Sequence, residues 1–402
     1  MSVLMVSHTS FFGGAEQSLL ELAAALLPNL ELCPLLASPK GPLQREALER
    51  GIPVLDIRTP RLEGRSAAGM LLRAPRWFSV ATALARQCRR QQDIRIVHAN
   101  GIKAFIPAVV AARAVGLPCI LHLRDYPRRL ALTRFLVRRA DAVVAASCFV
   151  ADALGRETAR LVTVIPNGVV PPRIPDADVT LALRRELGLT PSSRLVVMIA
   201  QQVPWKRHDL FLEAASRVAP LHPDTRFLVV GVNPWGTDSD YRARLLCRAA
   251  QPDLQGRVTF WEQRRDVGAI LAAADLLVLP SDNEPFGRVV VEAAAMGVPA
   301  VVPDRGAPAA IVVDDITGVH FRHGNAEALA EAGSRALSDP GLRQRVRARA
   351  PEHAARFSVE AHAAAMADLY LSLLRDRSAT AARVCRSATP VAPGRTERNH
   401  AP

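Results

Sequence analysis

Short runs of aliphatic and β-branched residues recur along the chain, each followed by a longer Ala- and Leu-rich stretch with helical spacing of its apolar positions. Continuous apolar runs mark strands buried on both faces, and their alternation with helices is the pattern of doubly wound parallel sheets. In the first half it predicts strands over 3–7, 32–37, 53–57, 94–98, 119–123, 142–146 and 162–165. In the second half they fall over 195–200, 226–231, 258–260, 276–280 and 300–303. Between the halves, 165–175 reads Ile-Pro-Asn-Gly-Val-Val-Pro-Pro-Arg-Ile-Pro, whose prolines cannot continue either sheet. The expectation is an α/β chain of two doubly wound domains, 1–170 and 171–357, joined at that hinge. A last helix over 358–375 places Ala365, Met366, Leu369, Tyr370 and Leu373 on one apolar side. From 376 to 402 the aperiodic Arg, Ser, Thr, Ala and Pro content predicts a disordered tail.

With 402 residues, 49% hydrophobic and 22% charged, the chain is long enough for two domains, each with its own core. Six cysteines without C-x-x-C spacing indicate neither a zinc site nor a disulfide framework, so a reducing cytoplasm is expected. The chain begins on a strand, without the basic and apolar segments of an export signal. No uncharged apolar run reaches the roughly 18 to 20 residues of a membrane span, so any membrane contact is expected to be peripheral, at the inner face of the plasma membrane. Charge sharpens that expectation. Residues 1–170 hold 22 Lys and Arg against 12 Asp and Glu, whereas 171–402 hold 29 against 26. The surplus concentrates in 73–90 and 127–139, where Arg128, Arg129, Arg134, Arg138 and Arg139 interleave with Leu130, Leu132, Phe135 and Leu136, as in a basic amphipathic helix on anionic lipid.

The most informative chemistry is Glu284-Pro-Phe-Gly-Arg-Val-Val-Val-Glu292, two carboxylates eight positions apart after the apolar strand 276–280. Pro285 forbids one continuous helix, so Glu284 belongs to a loop and Glu292 to a helix over 289–296. Gly287 lets backbone approach a ligand, and helix-start N–H groups donate to hydroxyl or phosphate oxygens. A loop acid, bare backbone and a helix acid at a strand's carboxyl end suit a polyhydroxylated, phosphorylated molecule.

This segment resembles the E-x7-E signature of retaining glycosyltransferases of family 4, whose GT-B fold sets two Rossmann-like domains across a cleft. Pro280-Ser281, Met296-Gly-Val-Pro299, Asp304-Arg-Gly306 and the hinge Ile165-Pro-Asn-Gly-Val169 agree with that family. The resemblance implies that Glu284 contacts the donor sugar near the reacting carbon, and that backbone at Phe286, Gly287 and Val289 holds sugar and phosphate oxygens. It also implies that Glu292 binds the ribose hydroxyls and that the last helix crosses back onto the first domain. Gly13 and Gly14 match the family's glycine loop, and His122 in Leu121-His-Leu-Arg-Asp125 corresponds to a histidine that bonds the donor sugar. Ala200-Gln-Gln-Val-Pro-Trp-Lys206 matches the loop that neutralises the diphosphate; Lys206 is one of only three lysines beside 48 arginines. The family often has Arg where Gln201 stands, so either Arg207 compensates or phosphate binding is weaker. Glu262 replaces a usual glycine, and Ala310 a frequent glutamate.

The implied reaction is retaining transfer of a sugar from a UDP- or GDP-sugar to a hydroxyl acceptor in cell-envelope, capsular or lipid-linked glycan assembly. With no matching carboxylate from the first domain, same-face departure and attack is expected, the leaving phosphate taking the acceptor proton. No Asp-x-Asp pair is visible and no metal or cofactor is expected. A sugar-nucleotide epimerase or phosphorylase is the alternative on the same architecture. A basic nucleic-acid-binding protein is the alternative from another class. Only 5% aromatic content, with no stacking platform, argues against nucleic acid.

Overall fold

The computed structural model describes residues 1–29, 31–57, 74–233 and 239–387, with side chains omitted at 74, 239 and 376–387. Two all-parallel sheets carry it. The first holds β1 (Ser2–Val6), β2 (Cys33–Ser38), β3 (Val54–Asp56), β4 (Ile94–Asn100), β5 (Cys119–Leu123), β6 (Ala142–Ala145) and β7 (Thr163–Val164) in the order β3-β2-β1-β4-β5-β6-β7. The second holds β8 (Arg194–Ile199), β9 (Thr225–Val230), β10 (Val258–Trp261), β11 (Leu276–Val278), β12 (Ala300–Pro303) and β13 (Gly318–Phe321) in the order β10-β9-β8-β11-β12-β13. Each order reverses at a central strand, leaving a crevice beyond the strands' carboxyl ends.

Burial explains the strand sequences. All five residues of β1 and of β5 are buried, because helices cover both faces of the sheet. On one face Val80, Leu84, Phe105, Ala108, Leu136 and Val150 form the core. On the other, Leu19, Leu20 and Leu43 pack with Ala363, Met366 and Tyr370 of the helix Val359–Ser387. That last helix therefore docks beneath the first sheet, whereas the second sheet's core runs from Val169 to Ala354.

Three sequence expectations are corrected. β13 was not legible, because Gly-Val-His-Phe is too short and mixed to read as a strand; its parallel partner β12 supplies the pairing. The strand expected over 276–280 stops at Val278. The last helix extends to Ser387, so 376–387 is helical where a disordered tail was expected. A docked helix propagates through good helix formers such as Ala and Arg without needing an apolar stripe. The remaining tail, 388–402, and Arg73 lie outside the described residues.

Candidate active site

The loop after β11 is shaped by Pro285 and Gly287. Proline delays the helix to Arg288–Ala295, and Gly287 caps it at φ 92°, a left-handed conformation in which a Cβ would also lie 3.0 Å from Pro308 Cγ. No side chain caps this helix, which leaves its first N–H groups to a ligand oxygen. The Phe286 ring is buried edge-on to Phe357, so only its backbone can serve a ligand, and Val289 is half-buried.

Glu284 is 6% exposed, and its Oε2 lies 2.6 Å from Lys206 Nζ. Lys206 ends the 3-10 turn Pro204–Lys206 after β8, and its ammonium sits 4.1 Å from the Trp205 ring centroid. The two loops are tied where Asp282 N donates to Trp205 O at 2.8 Å. A charge pair this enclosed is costly to desolvate unless well matched, and neither partner can be removed cheaply. Sequence positions 78 apart thus become one unit.

Glu292, one turn into the helix, is enclosed, and burial followed by the nearby Glu21 charge pushes its carboxyl up. Arg288 opposes this from 3.5 Å. Its guanidinium also grips the first sheet's side, donating from Nη1 to Glu21 Oε2 at 2.8 Å, Ser18 Oγ at 2.9 Å and Gly168 O at 3.1 Å, and from Nη2 to Glu21 Oε1 at 2.8 Å. Such a bidentate clamp fixes geometry as well as charge. Nothing in the spacing of Arg288 alone announced it; its partner lies 267 residues away.

Other expected residues have specific places. A Cβ on Gly13 would stand 3.3 Å from Gln201 Nε2, so the glycine loop and Gln201 meet across the cleft, while Gly14 lies beside Arg288 Cδ. The N–H of Gly13 is engaged by Glu16, whose carboxyl is pushed up to about 7, mainly by burial and then by Asp125. Arg207, at φ 60°, is held by Asp209 at 3.2 Å and Asp282 at 3.4 Å, so its charge is committed to carboxylates rather than to the place left neutral by Gln201. Asp282 is also 2.9 Å from His323 Nε2.

His122 does not line the cleft. It is fully buried, its Nδ1 3.2 Å from His98 Nε2 and its ring 5.2 Å from that of His98 and 5.9 Å from that of His362. Burial, then the Arg124 charge, holds its imidazole well below the ordinary range. All five residues of this strand are buried, because helices cover both faces of the sheet, so a histidine at its fourth position is enclosed as well. The polar residue with solvent access at this strand end is Asp125, three positions on. Its sequence signal is Arg124-Asp125-Tyr126, a charged pair and an aromatic directly after the strand.

Comparison with known proteins identifies the family and the fold. Residues 12–173 match the family description "Glycosyltransferase Family 4", and residues 180–353 match "Glycosyl transferases group 1". The lipopolysaccharide core biosynthesis mannosyltransferase LpsB of Rhizobium meliloti is 30% identical over 293 residues, covering 70% of this chain and 80% of that protein. The D-inositol 3-phosphate glycosyltransferase of Stackebrandtia nassauensis is 32% identical over 268 residues, 63% of this chain; the chain spans 60% of that relative's length. Among solved structures, Anabaena Alr3699/HepE in complex with UDP-glucose superimposes with a TM-score of 0.80 at 24% identity, over 92% of this chain and all of that one, which shows a shared fold.

Proposed function

The chain belongs to glycosyltransferase family 4, and from that premise we propose that it transfers a sugar, with retention at the anomeric carbon, from a nucleoside-diphosphate sugar to a hydroxyl acceptor. The observation that carries this reading is the enclosed Lys206–Glu284 pair, set between Trp205 and an uncapped helix start. Breaking a glycosyl–phosphate bond leaves negative charge on the diphosphate and positive charge on the sugar, and preorganised groups of opposite sign lower that barrier. Lys206 and the first N–H groups of Arg288–Ala295 suit the diphosphate; Glu284 suits the developing oxocarbenium ion. In the free protein each charge satisfies the other, and donor binding exchanges that pair for two ligand contacts. Glu292, lifted by burial, suits hydrogen bonding to ribose hydroxyls. A uridine donor is the first to try, since the Anabaena neighbour was solved with UDP-glucose.

We assign the acceptor to the first domain's side and to cell-envelope glycan assembly, the setting named for the Rhizobium relative. Support comes from the outer face of helices Ala74–Arg90, Ile102–Ala114 and Leu130–Val137, where Phe78, Val110 and Phe135 are exposed at 69%, 46% and 52%. Arg139 lies over the Phe135 ring at 4.6 Å, and Arg128, Arg129 and Arg138 are exposed nearby. Among the described residues no helix is long and apolar enough to cross a membrane. A peripheral anionic-lipid contact on this face follows from the same physics that attracts basic segments to anionic headgroups.

A thermal-shift panel of UDP- and GDP-sugars tests the donor reading. One nucleotide series should raise the melting temperature in the wild type and do so much less in Lys206→Ala, and no response to either series would sink it. Turnover with the selected donor should survive EDTA. Co-sedimentation with anionic vesicles should fall with salt and in an Arg128/Arg129/Arg138/Arg139→Ser variant; equal binding to neutral vesicles would remove the membrane assignment.

A further inference from the structure

The expectation that the leaving phosphate takes the acceptor proton rested on finding no carboxylate from the first domain. The structure supplies one, at Asp125. The residue before it, Arg124, is buried and donates from Nε to Asn100 Oδ1 at 2.9 Å and from Nη1 to Asn167 Oδ1. The residue after it, Tyr126, stacks on Phe149 with ring centroids 5.1 Å apart. Asp125 thus stands between two pinned neighbours and itself keeps solvent access. On the adjacent strand's end, Ser147 Oγ donates to Pro285 O at 2.6 Å, which sets this edge of the first sheet directly beside the Glu284 loop. Lys103 from the helix Ile102–Ala114, Arg128 from its own loop and Glu16 from the helix Gly14–Leu26 act on it from the first domain. Glu284 and Lys206 act on it from across the cleft. Crowding by protein on these sides pushes its carboxyl up from the ordinary range, with Lys103 the strongest opposing charge.

We propose that Asp125 is a catalytic residue for this transfer, accepting the hydrogen bond of the attacking acceptor hydroxyl and taking its proton. The inference rests on the donor reading above. The acceptor oxygen forms its bond to the anomeric carbon while the bond from that carbon to the diphosphate breaks, its electron pair leaving on the diphosphate; the proton moves to Asp125 and then to solvent. A base works best when its own pKa lies near the working pH, and a carboxyl raised by its surroundings is closer to that condition than an ordinary aspartate. A diphosphate already neutralised by Lys206 is correspondingly the poorer proton acceptor.

Water can stand in for the acceptor. With the sugar nucleotide chosen by thermal shift, its hydrolysis and the nucleoside-diphosphate dissociation constant are measured for the wild type, Asp125→Asn and Asp125→Glu. The asparagine variant, held by the same neighbours, should keep nucleotide affinity within about threefold and lose at least about thirtyfold in hydrolysis. The glutamate variant should recover part of the loss, and the acid limb of the wild-type rate profile should be missing from Asp125→Asn. Unchanged hydrolysis in Asp125→Asn overturns the proposal, as does a loss matched by lost nucleotide affinity or no hydrolysis by donor-loaded wild type. A glycosyl adduct on Asp125 in the mass spectrum would also overturn it, by making the residue a nucleophile. Failure of the wild type to bind any nucleotide is a different result, which defeats the donor reading itself.

Discussion

Beneath the carboxyl edge of the first sheet, His98, His122, His362, Tyr370 and Arg124 are each at most 3% exposed, and the four rings touch one another in a chain. At the carboxyl edge of the second, Lys206 and Glu284 keep 14% and 8% of their side-chain surface and pair chiefly with each other. Both clusters are polar and enclosed, yet they differ in what holds them. The first is buried between β4, β5 and the last helix, where His98 bonds both Tyr370 and His122, so its polar groups join those elements. The second is formed by loops at strand ends, with an exchangeable partner on each charge and an uncapped helix beside it. Burial alone does not distinguish a structural polar group from a reacting one; whether a ligand can replace its partner does.

The largest effect expected from this contrast concerns pH. Burial, then the Arg124 charge, lowers His362 to about 3 against its ordinary 6.5. The unfolded chain therefore binds a proton below pH 6.5 that the folded chain refuses, and stability is lost as pH falls from 6.5 toward 3, by up to about 5 kcal/mol. Denaturant titrations at pH 7 and pH 5 should show this slope in the wild type and a shallower one in His362→Leu; parallel slopes would contradict the neutral, structural histidine. Next is the clamp between sheets. Arg288→Met leaves Glu21 and Glu292 enclosed without their cation and should cost about 3–5 kcal/mol of stability, read as a lower denaturant midpoint. A loss under about 1 kcal/mol would make the clamp an incidental contact.

Smaller effects separate the clusters by function. Lys206→Ala should weaken nucleoside-diphosphate binding by at least about 1.5 kcal/mol, the scale of a charge-assisted hydrogen bond. His122→Leu should instead lower stability by about 1–3 kcal/mol, the cost of unpairing His98, and leave that binding within threefold. Calorimetric titration of both variants decides it: if His122→Leu loses nucleotide affinity while staying folded, the comparison breaks.

Most of the fold was written in local pattern. Among the described residues, twelve of thirteen strands came from apolar runs, because a strand covered on both faces must be apolar throughout. β13 escaped because Gly318 and His320 interrupt it and its existence depends on β12 beside it. Within the site, Glu284, Glu292, Gly287 and Lys206 were legible because proline and glycine mark the loop and lysine is scarce in this chain. Arg288 and Asp125 were not, since their meaning comes from partners hundreds of residues away or across the cleft. His122 was expected at the cleft edge and is enclosed with His98 and His362 instead. Sequence locates the end of a strand, but not how far the neighbouring helices cover that end.

The central claim is that Glu284 acts on the developing positive charge of the sugar, beyond pairing with Lys206. Glu284→Gln keeps the side chain's shape and removes its charge, so single-turnover kinetics and nucleotide titration on that variant test the claim most directly. Turnover should fall at least about a hundredfold, about 2.7 kcal/mol of lost transition-state stabilisation, while donor affinity changes by less than about tenfold. Near-normal turnover in Glu284→Gln, with a donor and acceptor that the wild type uses, would contradict the account.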